Sequence, residues 1–470
     1  MSLKISHAKL HQLWSDLKEA IAGTDRDFTK EPMGRAMFLL AVPMVLEMFM
    51  ESVFAIVDIF FVSRLGFDAI ATIGLTESLM TVIYAIGGGF AAATTALISR
   101  RIGEQQREKA SVSAVQAIYT GFFFSALIAI PGFIFAHDLL RLMGGNENMV
   151  SNMSGYTTVM ISANGAIMML FIINAVFRSS GDAAISMRVL FIANLVNIML
   201  DPCLIFGWGP FPKLGVEGAA VATTLGRSTA VIYQFYLLFK GKRRIHITFI
   251  QLIPDWKVMW TLVKLALGGI GQSLITTSSW IFMVRLISGF GSSVIAAYTI
   301  AIRIIIFSLM PPWGLSNAAA TLVGQNLGAA KPERAERAIY MAALLNVVFM
   351  GLISLLFIFS PQYFVQAFMH GKPVSQDAIV CLRMISYGFI FYGLGMVMVQ
   401  SLNGAGDTVT PTIINFFCFW MIEIPLAWFL SARTGLHEQG VYISIVIAES
   451  IMATTGLLII RRGKWEMNKV

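Results

Sequence analysis

Two stretches decide the fold: Phe177-Arg-Ser-Ser-Gly-Asp182 and Leu402-Asn-Gly-Ala-Gly-Asp407. Both end on the same Gly-Asp pair, 225 positions apart. Carried outward, that offset keeps matching. Gly66 falls on Gly291, Ile70-Ala71 on Ile295-Ala296, and Gly103 on Gly328. Lys109-Ala110 falls on Arg334-Ala335, and Gly215-Val216 on Gly440-Val441. One offset holding without a gap over about 150 residues is an internal duplication.

The duplicated unit is built of apolar runs near the length of about 20 residues that spans a bilayer. Six lie at 36–63, 70–98, 112–136, 153–177, 186–207 and 215–239. Six more lie at 260–287, 293–323, 337–360, 379–402, 410–431 and 440–460. The composition agrees: 57% of the 470 residues are hydrophobic, 13% are charged, and the mean hydropathy is +0.74. Soluble domains carry about 25% charged residues, so this chain must face lipid. The expected fold is an all-α integral membrane protein of twelve transmembrane helices in two six-helix repeats. Each repeat has an even number of spans, so the two run parallel, related by an axis along the membrane normal, as in transporters whose halves rock around a site between them.

Roughly 25 of the 34 Lys and Arg lie in the two termini and the even-numbered loops, against about seven in the odd-numbered loops. This bias predicts cytoplasmic termini, and the expected location is the bacterial inner membrane, as a multi-pass protein. It also accounts for the net charge of +8, so no nucleic-acid partner is expected. The expected organisation is a cytoplasmic amphipathic segment at 1–35, an N-lobe at 36–240, a linker at 241–258, a C-lobe at 259–461 and a tail at 462–470. Leu10, Leu13, Trp14, Leu17 and Ile21 recur at helical spacing in the first segment, which fits an in-plane surface helix or a partly ordered tail rather than a cleavable signal peptide. Cys203, Cys381 and Cys418 form no CxxC pair, so neither a disulfide framework nor a zinc site is expected.

Ionisable groups inside a bilayer are costly and therefore functional candidates. Span 1 contains Glu47, Glu51 and Asp58, spaced to lie near one helical face. Span 5 contains Asn197 and Asp201, four apart. In the second repeat the three acids of span 1 become Gln272, Thr276 and Met283. A scaffold role should recur in both halves, whereas an ion-coupling role need not. A buried carboxylate either rests protonated and releases its proton when water enters, or shares Na+ with neighbouring oxygens. Asp58, Asp201, Asn197 and Asn174 fit either, with Na+ expected at Asp58, Asn197 and Asp201 if that is the ion. For Asp201 the structural alternative is a helix break at Asp201-Pro202. Glu77, Glu423 and Glu449 are candidates for substrate contact, Glu423 being the best acid of the second half. Arg303, inside span 8, needs a carboxylate or carbonyl partner. Pro43, Pro311-Pro312, Pro411 and Pro425 mark possible hinges. The Gly-Asp pairs read as turns, with glycine reversing the chain and aspartate capping the next helix.

Five segments together resemble the multidrug and toxic compound extrusion (MATE) family. They are Asp58-Ile-Phe-Phe-Val-Ser-Arg-Leu-Gly66, Phe177–Asp182, Leu214-Gly-Val-Glu-Gly-Ala-Ala-Val221, Val323-Gly-Gln-Asn-Leu-Gly328 with Lys331-Pro-Glu-Arg-Ala335, and Leu402–Asp407. The resemblance covers residues 36–460 and leans toward the DinF-like branch. It implies V-shaped lobes and ion-driven antiport, with a coupling aspartate matched by Asp58, an Asn-x-x-x-Asp matched by Asn197 and Asp201, an asparagine matched by Asn174, a tyrosine matched by Tyr156, and an arginine matched by Arg303. Glu51 stands where such members carry a neutral polar residue. The major facilitator superfamily, the main rival, places Gly-x-x-x-Asp-Arg-x-Gly between spans 2 and 3. Here that loop reads Ser99-Arg-Arg-Ile-Gly-Glu-Gln-Gln106.

The expected function is therefore secondary active efflux of drug-like or metabolite organic cations in exchange for H+ or Na+, by alternating access. The partners are a small cationic or amphipathic substrate and the lipid bilayer, the chain acting as a monomer without a cofactor. Glu47, Glu51, Tyr156, Arg303 and Glu423 are expected coupling or substrate contacts. The alternative is a flippase or exporter of a lipid-linked or other metabolite in the same superfamily, which would need a cationic cavity. Inside the spans the main candidates for one are Arg227 and Arg303. An enzyme is not expected, since the spans carry no HExxH, no Gly-x-Ser-x-Gly and no histidine cluster.

Overall fold

The computed structural model describes residues 7–240, 244–368 and 375–467. Residues 1–6 of the expected N-terminal segment, 241–243 of the linker and 468–470 of the tail lie outside the described residues. Among the described residues there is no β-strand. Eight helices are long and apolar enough to cross a membrane: Phe67–Gly103, Arg107–Leu142, Ala183–Phe206, Trp256–Ser288, Ser292–Gly328, Pro332–Phe359, Val409–Arg433 and Glu438–Arg461. Two bent pairs, Ser154–Ser162 with Asn164–Ser180 and Gln376–Ser386 with Phe389–Gly404, supply one span each. Met33–Val62 and Val216–Phe239 complete twelve. These two carry Glu47, Glu51, Asp58 and Arg227.

The duplication is visible in where the helices bend. Span 4 turns by 40° at Ala163 and span 10 by 53° at Tyr387-Gly388. Those positions are equivalent under the 225-residue offset, and neither break contains a proline. The prolines behave differently from expectation. Pro43, Pro202 and the Pro311-Pro312 pair lie inside continuous helices, so Asp201-Pro202 does not end span 5. Pro425 instead follows a π-helical stretch, Phe416–Glu423, inside span 11. Both Gly-Asp turns form as expected at the backbone: Gly181 and Gly406 take φ of 98° and 88°, values that disfavour a side chain. Asp407 accepts the Thr410 N–H at 3.0 Å and its hydroxyl at 2.7 Å.

The lobes meet through glycine. A Cβ on Gly103 would overlap the backbone oxygen of Gln325, and one on Gly328 would overlap that of Arg100. Gly89 and Gly314 repeat the arrangement deeper in the bundle. Their Cβ atoms would sit 2.7 Å from the backbone oxygens of Ala266 and Met44 respectively. Each is the partner of the other under the offset, so spans 2 and 7 and spans 8 and 1 form two copies of one close contact. Gln325 also donates across the lobes to the Ser179 oxygen at 2.8 Å.

The N-terminal segment closes over this end of the molecule. A helix, His7–Ala22, leaves Leu13, Trp14 and Ile21 exposed. Its acids turn inward instead: Arg35 pairs with Asp16 at 2.8 Å and with Glu19 at 3.0 Å. The Arg26 guanidinium, hydrogen-bonded to Glu19, holds that carboxyl below its usual range. Residues 24–31 then lie between the lobes. Arg244 donates to the backbone of Ser180, Thr24 and Arg26. Lys331 reaches the Thr29 oxygen at 3.0 Å, and Arg334 the Glu31 oxygen at 2.7 Å. Phe28, 1% exposed, fills the space between them.

Overpacking a contact this close costs about 1–3 kcal/mol. Gly103→Val should therefore lower the melting midpoint of the detergent-purified protein. Gly74→Ala, whose Cβ meets nothing within 4 Å, should leave it unchanged.

Candidate functional site

Spans 1, 4 and 5 carry the polar interior of the N-lobe because their polar residues recur at helical spacing. On span 5, Asn194, Asn197 and Asp201 share a face. Asn194 donates to the Met50 oxygen at 2.8 Å and so pins span 5 against span 1. Asn197 donates to Asp201 Oδ1 at 3.3 Å and to the Thr223 hydroxyl of span 6 at 3.4 Å. Asp58 of span 1 lies within electrostatic range of Asp201. Tyr156, 2% exposed on the first half of span 4, lies within range of Asp58 and Glu77.

This group has more acceptors than donors. Asp58 Oδ1, Asn197 Oδ1 and Asp201 Oδ2 are buried without a hydrogen-bond partner. A buried unsatisfied acceptor costs about 1–3 kcal/mol, a cost that a proton on a carboxyl, a water or a cation would relieve. Among the described residues no group of three or more His, Cys, Asp or Glu is placed to hold a metal ion. A Na+ here would be held by two carboxylates and neutral oxygens, a donor set suited to a hard monovalent cation.

Asn174 is not beside Asp58. It donates to Glu47 Oε1 at 3.2 Å and accepts from Gln234 at 2.6 Å. Arg178 pairs with the same Glu47 oxygen at 2.7 Å. Glu47 lies three helical turns from Asp58, about 16 Å along span 1. The expected set therefore divides into two clusters, one built on Asp58, Asn197 and Asp201, the other on Glu47, Asn174, Arg178 and Gln234. Depth along span 4 separates them: Asn174 lies near the end of span 4, in its last two turns.

Glu51 lies beside a third group, with Arg227 over the Phe54 ring at 5.3 Å. Glu423 is buried in the C-lobe, where it accepts from Ser279 at 3.3 Å. Glu449 lies within electrostatic range of it, with Oε2 buried and unpartnered. Arg303 is exposed, and the ion pairs of the described residues do not include it, so the expected carboxylate partner is not found. Arg178, Gln234, Thr223 and Tyr84 were not expected. Tyr84 had a signal: it lies seven residues from Glu77, on the same face of span 2. Arg178 belongs to a motif whose Gly-Asp end reads as a turn, which hid its charge.

The MatE family model matches residues 43–203 and again 270–429, more than half of the chain and once per repeat. The chain belongs to the MATE family. It is a multi-pass membrane protein. It is 26% identical over 430 residues to the probable multidrug resistance protein YoeA of Bacillus subtilis, covering 90% of this chain and 92% of that one. It is also 26% identical over 422 residues to the FAD transporter of Shewanella oneidensis, covering 90% and 93%. A solved MOP superfamily transporter from Pyrococcus furiosus, in which reverse polarity of the binding pocket suggests a different function, has the same fold. The TM-score is 0.87 at 24% identity, covering 94% of this chain and 98% of that one.

The Glu47–Arg178 pair of this MATE protein gives a direct test. Glu47 is 2% and Arg178 12% exposed at the side chain. Removing one partner of a buried pair costs about 3–5 kcal/mol, whereas replacing both is close to neutral. Arg178→Met should sharply lower thermal stability in detergent, and Glu47→Gln with Arg178→Met should recover most of the loss.

Proposed function

We propose that this protein is a secondary active exporter that releases drug-like or metabolite organic cations in exchange for H+ or Na+. The observation that carries this reading is the set of three unpartnered acceptor oxygens on Asp58, Asn197 and Asp201. They are confined to the N-lobe. At the positions equivalent to these three residues, the C-lobe has Met283, Ile422 and Leu426. A group required by the scaffold would recur in both repeats.

The proposed cycle uses the asymmetry between the two ends of the bundle. The end bearing both termini faces the cytoplasm, as the distribution of Lys and Arg favours. There the lobes are sealed by the glycine contacts and by residues 24–31. An ion entering from outside supplies the positive charge or hydrogen that the three acceptors lack. Ion and substrate prefer opposite states, so occupancy by one favours release of the other. The Asp, Glu, Lys or Arg side chains buried within the described spans, Glu47, Asp201, Glu423 and Glu449, are all acids, which supports cationic substrates.

A second reading is an exporter of an anionic or lipid-linked metabolite. Arg227 and the similarity to a FAD transporter favour it.

Asp58→Asn keeps size and hydrogen bonding but removes the titrating charge. In proteoliposomes loaded with a fluorescent organic cation, it should abolish efflux driven by a pH gradient or by a Na+ gradient, whichever drives the wild type. Asp201→Asn should reduce it at least about tenfold, the effect of losing about 1.4 kcal/mol of coupling. Full ion-driven efflux by Asp58→Asn would remove Asp58 from the coupling site.

A further inference from the structure

One constellation in the N-lobe is not used by the three acceptors. Arg227 lies mid-way along span 6, Glu51 and Phe54 on span 1, and Glu77 and Tyr84 on span 2. At about 1.5 Å per residue, Glu51, Glu77 and Arg227 sit about 15–17 Å along their helices from the end remote from the termini. They therefore share one depth near the membrane centre. The guanidinium covers the Phe54 ring at 5.3 Å. Tyr84 is within electrostatic range of it, and the Tyr84 hydroxyl donates to Glu77 Oε2 at 3.5 Å. Glu51 lies one turn from Phe54 on the same helix, so it flanks the same guanidinium.

Arg227 is not consumed by these neighbours. Both acids are in electrostatic range, yet the ion pairs of the described residues do not include one with either. A guanidinium at this depth is expensive unless its donors are satisfied. Nor are the groups sealed away: Glu51, Glu77, Tyr84 and Arg227 are each half-buried. The offset shows that the scaffold does not need them. Glu51, Phe54, Glu77, Tyr84 and Arg227 become Thr276, Ser279, Ile302, Leu309 and Met452 in the second repeat.

We propose that this constellation is a ligand subsite for zwitterions, in which Arg227 receives a carboxylate while Glu51 and Glu77 face the cationic end of the same aromatic molecule. The planar fork of arginine matches a carboxylate. The two acids reject a simple anion, and the arginine rejects a simple cation, so a ligand carrying both charges is the best complement. Phe54 and Tyr84 supply apolar faces for its rings. The assignment extends the proposed exporter reading by naming a substrate class.

The test uses a rhodamine free acid, which is a zwitterion, and its methyl ester, which is a cation of nearly the same shape. Binding of each to the purified full-length protein is read by fluorescence polarisation at neutral pH. The wild type should bind the free acid about tenfold more tightly than the ester, the effect expected of one charge-assisted contact. Arg227→Gln should erase that preference by weakening the free acid and strengthening the ester, and retained ester binding also reports that the variant is folded. Arg227→Lys should restore part of it. Equal binding of the two dyes by the wild type, no binding of the free acid, or equal loss of both dyes in Arg227→Gln would overturn the subsite. That last result would make Arg227 an internal counter-ion. Efflux from proteoliposomes separates the two proposals. If the preference stands but the wild type exports neither dye down an ion gradient, the exporter reading fails and the subsite survives.

Discussion

The two lobes can approach as they do only because four glycines lie where backbone meets backbone. Gly103 against Gln325 and Gly328 against Arg100 form one symmetric pair, and Gly89 against Ala266 and Gly314 against Met44 form the other. Membrane helices associate through close packing rather than through the hydrophobic effect, and small residues permit it. Any side chain at these positions would hold the lobes apart. The segment 24–31 could not then be held from both sides, and Gln325 could not reach Ser179. The contacts lie in the half of the bundle nearer the termini, which leaves the other half free of this constraint.

Symmetry of the scaffold makes its departures informative. The bends at Ala163 and Gly388 match, the Gly-Asp turns match, and the glycine contacts match. The ionisable groups do not. The C-lobe acids Glu423 and Glu449 are equivalent to Ile198 and Thr224, so each lobe places its buried charge on its own terms. Polar residues in a bilayer are costly, and a duplicated chain would lose them in both halves unless each served something local. The N-lobe holds three such groupings along span 1, at Glu47, Glu51 and Asp58, about one to two turns apart. Only the first is internally paired, through Arg178 at 2.7 Å. That pair reads as structure, and the two unpaired groupings are the ones on which the proposed ion site and the proposed subsite rest.

The spans and the repeat were legible because hydropathy and a fixed offset are properties of the chain itself. The pairing of Asp58 with Asn197 and Asp201 was legible for a related reason: helical spacing and depth placed both acids in the same half of the membrane. Asn174 was placed with them by family resemblance, against its depth, and the structure puts it with Glu47 instead. The prolines did not mark the breaks, because a proline in a membrane helix need not break it: neighbouring helices can satisfy the freed carbonyl. Of the two bent pairs, the break at Ala163 contains neither proline nor glycine, and that at Tyr387-Gly388 carries only a glycine. The N-terminal segment was legible as an amphipathic helix. Its attachment to both lobes was not, because it depends on backbone oxygens that any sequence would provide.

That attachment also bears on how such a seal could open. Arg244, Lys331 and Arg334 grip residues 24–31 almost entirely through backbone oxygens near an aqueous surface. Water replaces such bonds readily, and their net worth is about 0.5–1.5 kcal/mol each. The glycine contacts beneath them exclude water and add close packing without large apolar side chains. A seal of this kind holds through several modest interactions that are made or lost together. It is stable when intact, yet it can be released by a differential binding energy of a few kcal/mol, the scale on which ligands shift two-state elements. A closure built on interdigitated leucines or phenylalanines would offer no such threshold. The polar strap and the bare glycines therefore act on one face from two depths, and the alternating cycle proposed above requires both sets of contacts to be made and lost together.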